Sequence, residues 1–409
     1  MSADREMTSS TSSVDRHTLR DAQNFSPVLG GPLFQFLRRI HLSDNVLRLL
    51  RQRIIVISIF AWLPLLVLSA LEGHLWRGTV AVPFFLDIEV HIRFLVVVPL
   101  LIIAELVVHR RLHPIAQEFL ERNLIPEATI ARFDDAMTSA FRLRDSVLAE
   151  VLLVLIVFAV GVLIVWRHYT ALDAATWYGT SSTAGSELSL AGIWYRYVSL
   201  PLFQFLLIRW YFRVFIWTRF LWQVSRIKLS LIPTHPDRLA GLGFLSGTAY
   251  AFGVLLIAHG AMVAAQLADR ILLLDATLRE FDVEIAVMVV FLLCLVFGPL
   301  LVFAPQLSHA KETGLREYGM LAERYVRDFD VKWLRGRATG DEPLVGSADI
   351  QSLADLSNSY EVVRSMRIVP VTWHAIVQLA AAVLVPIVPL ALTMMSLKDL
   401  VKHLYGILF

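Results

Sequence analysis

In the apolar stretch IWYRYVSLPLFQFLLIRWYFRVFIW, residues 193–217, Arg209 and Arg213 stand four positions apart, which on a helix puts both guanidinium groups on one face. Arginine inside a bilayer needs a partner, since an unpaired one at the centre costs about 3 kcal/mol on insertion scales. Two carboxylates fall at matching depth: Glu105, near the end of the apolar run 92–108, and Glu150, near the start of the run 147–166. The spacing predicts a network of Glu105, Glu150, Arg209 and Arg213 joining three helices. Such a network either glues helices together or forms part of an ion or proton path. His259, at the middle of the run 247–268, is a further member, either bonded to a neighbouring helix or relaying a proton. The competing reading of 193–217 is a helix whose Arg196 and Arg209 snorkel to opposite interfaces, with the aromatic residues from Trp210 to Trp222 as the interfacial belt.

A second group lies in IPTHPDRLAGLGFL, residues 232–245. Pro233 and Pro236 end the preceding helix, Thr234 or Asp237 caps the next one, and Gly241 and Gly243 let that helix pack closely on a neighbour. Besides this structural reading, His235 and Asp237 form a titrating or metal-binding pair. His109 and His113 have the four-residue spacing of a metal pair, but no third ligand accompanies them, and no metal is expected. The single cysteine, Cys294, permits neither an intramolecular disulfide nor a cysteine metal centre. Phosphate-loop, dinucleotide, HExxH and nucleophile-elbow patterns are absent from the sequence, so no cofactor and no catalytic centre are expected.

The elements that must carry these residues follow from composition. Hydrophobic residues make up 56% and charged residues 18% of the 409, and mean hydropathy is +0.62, which excludes an ordinary soluble domain. About 20 apolar residues span a bilayer, and seven runs qualify: 54–71, 92–108, 147–166, 193–217, 247–268, 285–304 and 374–396. Eight Lys and Arg residues precede the first run, and the connections 109–146, 218–246 and 305–373 carry six, four and nine, against seven on the opposite side. That bias places the N-terminus in the cytoplasm and, with an odd number of spans, the C-terminus in the periplasm. The expected fold is an all-α polytopic membrane bundle of about seven helices with a small cytoplasmic helical layer. Its parts are a disordered cytoplasmic tail (1–31), spans one to six with short cytoplasmic helices (32–304), a cytoplasmic helical segment (305–373), and a last span with an amphipathic periplasmic end (374–409). PLFQFLRRIHL at 32–42 reads as an in-plane segment before the first span.

Three segments, HPDRLAGLGFL, LREYGMLAERYVRDFDVKWLRG and SADIQSLADLSNSYEVVRSMRIVP, together resemble a family of uncharacterised bacterial inner-membrane proteins that carry an HPDxxxGLGFL motif and a SADIQSLADL motif. The likeness runs from Phe212 to the C-terminus. It implies a polytopic helical fold and no assigned activity. Ala240 departs from the family pattern, in which a glycine fills that position, and so raises the question whether the backbone there needs a positive φ.

Two functions are consistent with this reading. One is a small-solute or ion transporter or channel lined by Glu105, Glu150, Arg209, Arg213 and His259. The other is a non-transporting membrane scaffold or sensor whose cytoplasmic helices bind a partner. The expected partners are the bilayer and its anionic headgroups, with a second copy or a cytoplasmic protein possible. Nucleic acid is not expected, because the basic residues follow membrane orientation.

Overall fold

The computed structural model describes residues 26, 30–31, 46–76, 78, 80–165, 176–182, 185–274, 276–336, 343–344 and 346–391. The expected in-plane segment at 32–42, most of the 1–31 tail, residues 166–175 and the expected amphipathic C-terminus lie outside the described residues.

Helix α1 is Val46–Leu71. Helix α2 (Ile88–Ile92) passes through a π segment, Arg93–Val97, into α3 (Val98–Leu112), and the short α4 (Ile115–Glu121) follows. Helix α5 is Ile130–Arg144, and α6 (Val147–Ile156) continues in π turns over Val157–Val165. Helix α7 (Leu190–Trp194) joins α8 (Leu200–Val224) through another π segment, Tyr195–Ser199. A 3-10 stretch, Gly243–Phe252, leads into α9 (Gly253–Leu274). Helix α10 (Asp282–Phe297) runs through a 3-10 turn into α11 (Ala304–Phe329). Helices α12 (Ala348–Arg364), α13 (Trp373–Leu384) and α14 (Val388–Ala391) complete the described chain. Among the described residues the strands are β1 (Gly179–Ser182) and β2 (Gly185–Leu188), an antiparallel hairpin pairing Gly179 with Leu188.

Five helical stretches are long and apolar enough to cross a membrane: Leu50–Leu71, Ile88–Glu121, Leu190–Val224, Gly243–Leu273 and Leu278–Leu334. These make the protein an all-helical bundle of the membrane-embedded kind, apart from the short hairpin. The expected third and seventh spans correspond to shorter apolar helices, Val147–Gly161 and Trp373–Leu384. One reason is local: the chain turns at Val385–Ile387, where Pro386 cannot continue the backbone hydrogen bonding of α13.

Burial separates a centre from a rim. The apolar window of Gly243–Leu273 is 67% buried and that of Leu190–Val224 56%, whereas that of Leu50–Leu71 is only 22% buried. Helices α8 and α9 are therefore central, and α1 turns exposed Ile55, Val56, Ile59 and Phe60 outward, as a helix facing lipid does. Between α9 and α13 the approach is close enough to require glycine, since a Cβ on Gly260 would lie 2.1 Å from the Val383 carbonyl oxygen.

Helix α11 runs on past the apolar stretch, and α12 folds back along it. Asp349 ties the pair together, accepting from Lys332 Nζ at 2.8 Å and Trp333 Nε1 at 2.9 Å. Those donors hold its carboxyl below the ordinary aspartate value.

Candidate functional site

Charged side chains gather at the two ends of the bundle. At the arginine end, α1 contributes Arg53, α3 Glu105, α6 Glu150 and α8 both Arg209 and Arg213. Glu105, 4% exposed, is the hub. Its Oε2 accepts from Arg53 Nη2 at 2.9 Å, its Oε1 pairs with Arg213 Nη1 at 2.8 Å, and Arg209 Nη1 stands 3.8 Å away. Arg209 also reaches Glu150, at 3.5 Å. Two carboxylates from different helices thus hold three buried guanidinium groups, the arrangement that burial of charge demands. Arg213 lies over the Trp210 ring, 5.0 Å from its centroid, and Trp210 donates to the Leu101 carbonyl at 3.0 Å.

Around this hub sits a second layer. Arg144, at the end of α5, makes two hydrogen bonds to Asp145, at 2.9 and 2.7 Å. Three residues of the expected free tail pack here. The Ser26 carbonyl accepts from Arg144 Nη1 at 2.7 Å, the Gly30 carbonyl from Arg209 Nη2 at 3.4 Å, and Gly31 N–H donates to Asp145 Oδ1 at 2.8 Å. The Ser26 hydroxyl meets His109 Nδ1 at 3.0 Å. A cleft lined by Arg144, Glu150, Leu153, Arg209, Phe212 and Arg213 opens between these groups.

The sequence-derived network is therefore brought together in its Glu105, Glu150, Arg209 and Arg213 part. His259 is not part of it. Its Nε2 pairs with Tyr211 Oη at 2.8 Å and its Nδ1 with the Leu255 carbonyl at 2.8 Å. Two helical positions separate Tyr211 from Arg209 and from Arg213, about 200° of rotation, so it faces α9 while the arginines face α3 and α6. The interfacial belt also requires correction: Trp210, Trp217 and Phe220 are buried, while Phe215 and Trp222 remain exposed. Arg209 and Arg213 are paired inside the bundle and do not snorkel out of it. His109 and His113 pack edge to face at 5.2 Å, and among the described residues no group of three metal-ligating side chains occurs.

The 232–245 stretch forms a tight elbow. Helix α8 already ends at Val224, so Pro233 and Pro236 do not terminate it. Asp237 does cap the elbow, accepting from the N–H groups of Leu239 at 2.7 Å, Gly241 at 3.2 Å and Gly243 at 2.7 Å. Burial raises its pKa, but these backbone donors outweigh it and hold the carboxyl below its usual value. His235 Nδ1 sits 2.9 Å from Asp237 Oδ1. Both carboxylate oxygens are thus engaged by the loop itself. Gly243 serves this cap and not helix packing, because a Cβ there would lie 2.8 Å from Asp237 Oδ2. Ala240 answers the question its departure raised: its φ is 54°, so the position does adopt the left-handed conformation, without the glycine that would relieve it. Residues 315–336 and 347–370 both meet this elbow. Thr234 contacts Tyr318 Oη of α11 at 3.4 Å, and Arg367 N–H donates to the Arg238 carbonyl at 2.8 Å.

At the carboxylate end, sequence reasoning missed the site. Asp269 of α9 accepts from the N–H groups of Ile88, at 3.0 Å, and Glu89, at 2.9 Å. Asp87 accepts from Val90 N–H at 2.9 Å and from Trp177 Nε1 at 2.8 Å. Two carboxylates thus cap one helix N-terminus, where the helix dipole favours negative charge. Burial, reinforced by Glu89, pushes the Asp87 carboxyl up to about 6. Within the adjoining helix Glu89 pairs with Arg93, Arg93 donates to Tyr195 Oη, and Gln266 donates to Glu89 at 3.1 Å. Arg93 and Tyr195 each open a π segment, a feature concentrated at functional sites.

Between the two ends, among the described residues, lies a mainly apolar layer. Arg93 and Glu105, on one continuous helical path, are about 18 Å apart at about 1.5 Å per residue. The layer between them contains Phe94, Val97, Val98, Leu101, Phe203 and Leu206, all 6% exposed or less. Comparison with family models, with curated proteins and with solved structures finds nothing that matches the chain.

Proposed function

We propose that the protein is an integral protein of the bacterial inner membrane that acts as a sensor or scaffold and does not conduct. The seven-span count is supported by the two shorter apolar helices, Val147–Gly161 and Trp373–Leu384, added to the five long ones. The arginine end faces the cytoplasm in this reading, since it carries the excess of Lys and Arg that fixes orientation, and the C-terminus is periplasmic. Its bacterial and inner-membrane character is carried by the resemblance of the three motif segments.

The observation that carries the non-conducting reading is the mainly apolar layer of Phe94, Val97, Val98, Leu101, Phe203 and Leu206 between the charged ends, which offers an ion little in exchange for its hydration. The arginine end is the working site. It is joined to the cytoplasmic α11–α12 arm by packed aromatic rings: Phe133 of α5 meets Phe119 of α4, which meets Phe244 at the elbow and Phe303 at the foot of α11. The arm exposes Met320, Leu321, Val326 and Leu334, which suits the delivery of a signal to a partner. The transporter or channel reading is favoured by a different observation: two buried charged clusters at opposite ends of the same helices, with π segments between them.

Ion flux in proteoliposomes separates the two. The sensor reading expects flux equal to that of protein-free liposomes for native protein, Arg209→Gln and Glu150→Gln alike. Native flux abolished by Arg209→Gln would establish transport. Orientation is checked by a cysteine at Ser182 in a Cys294→Ala background, expected to react only from the periplasmic side.

A further inference from the structure

Helix α8 carries a second pair of arginines, which the network at Glu105 does not use. Phe212, Phe215, Arg219, Trp222 and Arg226 follow one another at intervals of three and four, and so line one face of the helix. The helix ends at Val224, and a backbone bond from Arg226 N–H to the Gln223 carbonyl, at 3.1 Å, continues the turn as far as Arg226. This face points away from the bundle. Phe215 is 53% and Trp222 48% exposed, Arg226 is exposed and Phe212 half-buried, whereas Trp210, Trp217 and Phe220 on the other faces are buried.

Two features of this stripe select what lies against it. The first is charge. Among the described residues neither Arg219 nor Arg226 has a carboxylate partner: Arg219 Nη1 donates to the Ser139 hydroxyl at 2.5 Å, and Arg226 stacks over the Trp222 ring, 5.1 Å from its centroid. Both partners are neutral, so two positive charges stand on one face without a countercharge, and a stacked guanidinium keeps its N–H edge for an oxyanion. The second is length and order. Phe212 and Phe215, stacked with centroids 6.4 Å apart, lie towards the middle of the apolar helix, and the arginines lie towards its end. The helical rise from Phe212 to Arg226 is about 21 Å, and one leaflet with its headgroups is about 20–22 Å deep. An anionic amphiphile has the same order, chains against rings and headgroup against arginines. A free anion would use the arginines and leave the rings without a purpose.

We infer that this outward face of α8 is the docking site of an anionic phospholipid, with its acyl chains along Phe212 and Phe215 and its phosphate held by Arg219 and Arg226. The inference rests on the reading of this end of α8 as the cytoplasmic leaflet, and it gives the sensor a ligand class. The site also has a route to the arm. Ser139, the partner of Arg219, belongs to α5, whose Phe133 opens the ring contacts that lead through Phe119 to the elbow and the foot of α11. A headgroup that shares Arg219 with Ser139 therefore acts on the element that leads to the arm.

The test uses the full chain in phosphatidylcholine nanodiscs doped with phosphatidylglycerol or phosphatidylcholine whose acyl chains are brominated, since bromine quenches tryptophan on contact. The Trp222 signal is the difference between each protein and its own Trp222→Phe control. Half-maximal quenching of that signal should need about tenfold less brominated phosphatidylglycerol than brominated phosphatidylcholine, because each arginine at an anionic headgroup favours it several-fold. Arg219→Gln combined with Arg226→Gln should remove the preference, and Arg219→Lys combined with Arg226→Lys, which keeps the charges, should retain it. Equal quenching by the two lipids in the native chain would overturn the inference. So would a preference that survives the glutamine pair, or one that the lysine pair also loses. Inorganic phosphate at constant ionic strength should leave the preference unchanged; competition would assign the arginines to a free anion and overturn the lipid. A nanodisc offers the same lipids on both faces, so the result does not depend on orientation. A lipid preference accompanied by ion flux, or by cytoplasmic labelling at Ser182, would leave the site standing and overturn only the functional or the topological reading.

Discussion

At the arginine end the countercharges are side chains from different helices, meeting at Glu105 across α1, α3, α6 and α8. At the carboxylate end they are the backbone N–H groups that open a single helix, held by Asp87 and Asp269. The difference lies in what meets the charge. A network drawn from four helices registers their relative positions, and a small shift of any one of them breaks several pairs at once. The carboxylate end is also tied across helices, by Asp269 and Gln266 of α9 and by Tyr195, but its two capping carboxylates are met by backbone N–H groups. The arginine end, where charge is met by charge, is therefore the more sensitive of the two to loss of a single side chain.

The largest effect expected from this contrast is at the hub. Glu105→Gln leaves three buried arginines short of a charge and should cost about 3–5 kcal/mol, read as reversible unfolding in mixed micelles. A loss no greater than that of Asp269→Ala would erase the distinction between the ends. Asp269→Ala removes one of the two caps and should cost about 1–2 kcal/mol in the same assay.

A smaller, opposite effect tests local strain near the arginine end. Ala240→Gly should stabilise the elbow by about 1 kcal/mol, because the left-handed conformation penalises a Cβ by about that amount. Loss of stability would mean that packing of the buried methyl outweighs the strain.

A pH dependence tests the carboxylate end separately. The folded Asp87 carboxyl, at about 6, holds its proton more tightly than the unfolded one, at 3.8. The folded state therefore binds more protons between those values, and stability should fall as pH rises from about 4 to about 6. Asp87→Asn should flatten that part of the profile. Asp237 behaves oppositely, its depressed carboxyl contributing stability that is lost only as pH falls below its ordinary value of 3.8.

The arginine end was legible in the sequence to the extent that its charges interrupt apolar runs. Glu105, Glu150, Arg209 and Arg213 stand alone among aliphatic and aromatic neighbours, so helical spacing and depth were enough to pair them. Arg53 was not legible, because with Arg48 and Arg51 it reads as the basic flank of the first span. Ser26, Gly30 and Gly31 lie in a polar segment with no periodicity to reveal a contact. His259 was grouped by depth alone, when the face of α8 that bears Tyr211 decides its partner.

The carboxylate end was hidden for a different reason. Asp269 caps a helix that begins at Ile88, and no local pattern links residues so far apart in sequence. The bundle itself, with its five long apolar helices, follows from composition, whereas the turn at Val385–Ile387 shortens α13 relative to the apolar run that contains it.

Accessibility of the middle layer tests the closed, two-ended arrangement most directly. Cysteines placed at Val97 and at Leu206 in a Cys294→Ala background would be exposed to a small, charged, membrane-impermeant thiosulfonate from either side of a sealed vesicle. The expected result is no reaction at either position from either side, with normal reaction once the protein is unfolded. Rapid modification of both positions in the folded protein would reveal a water-filled path and contradict the sealed arrangement.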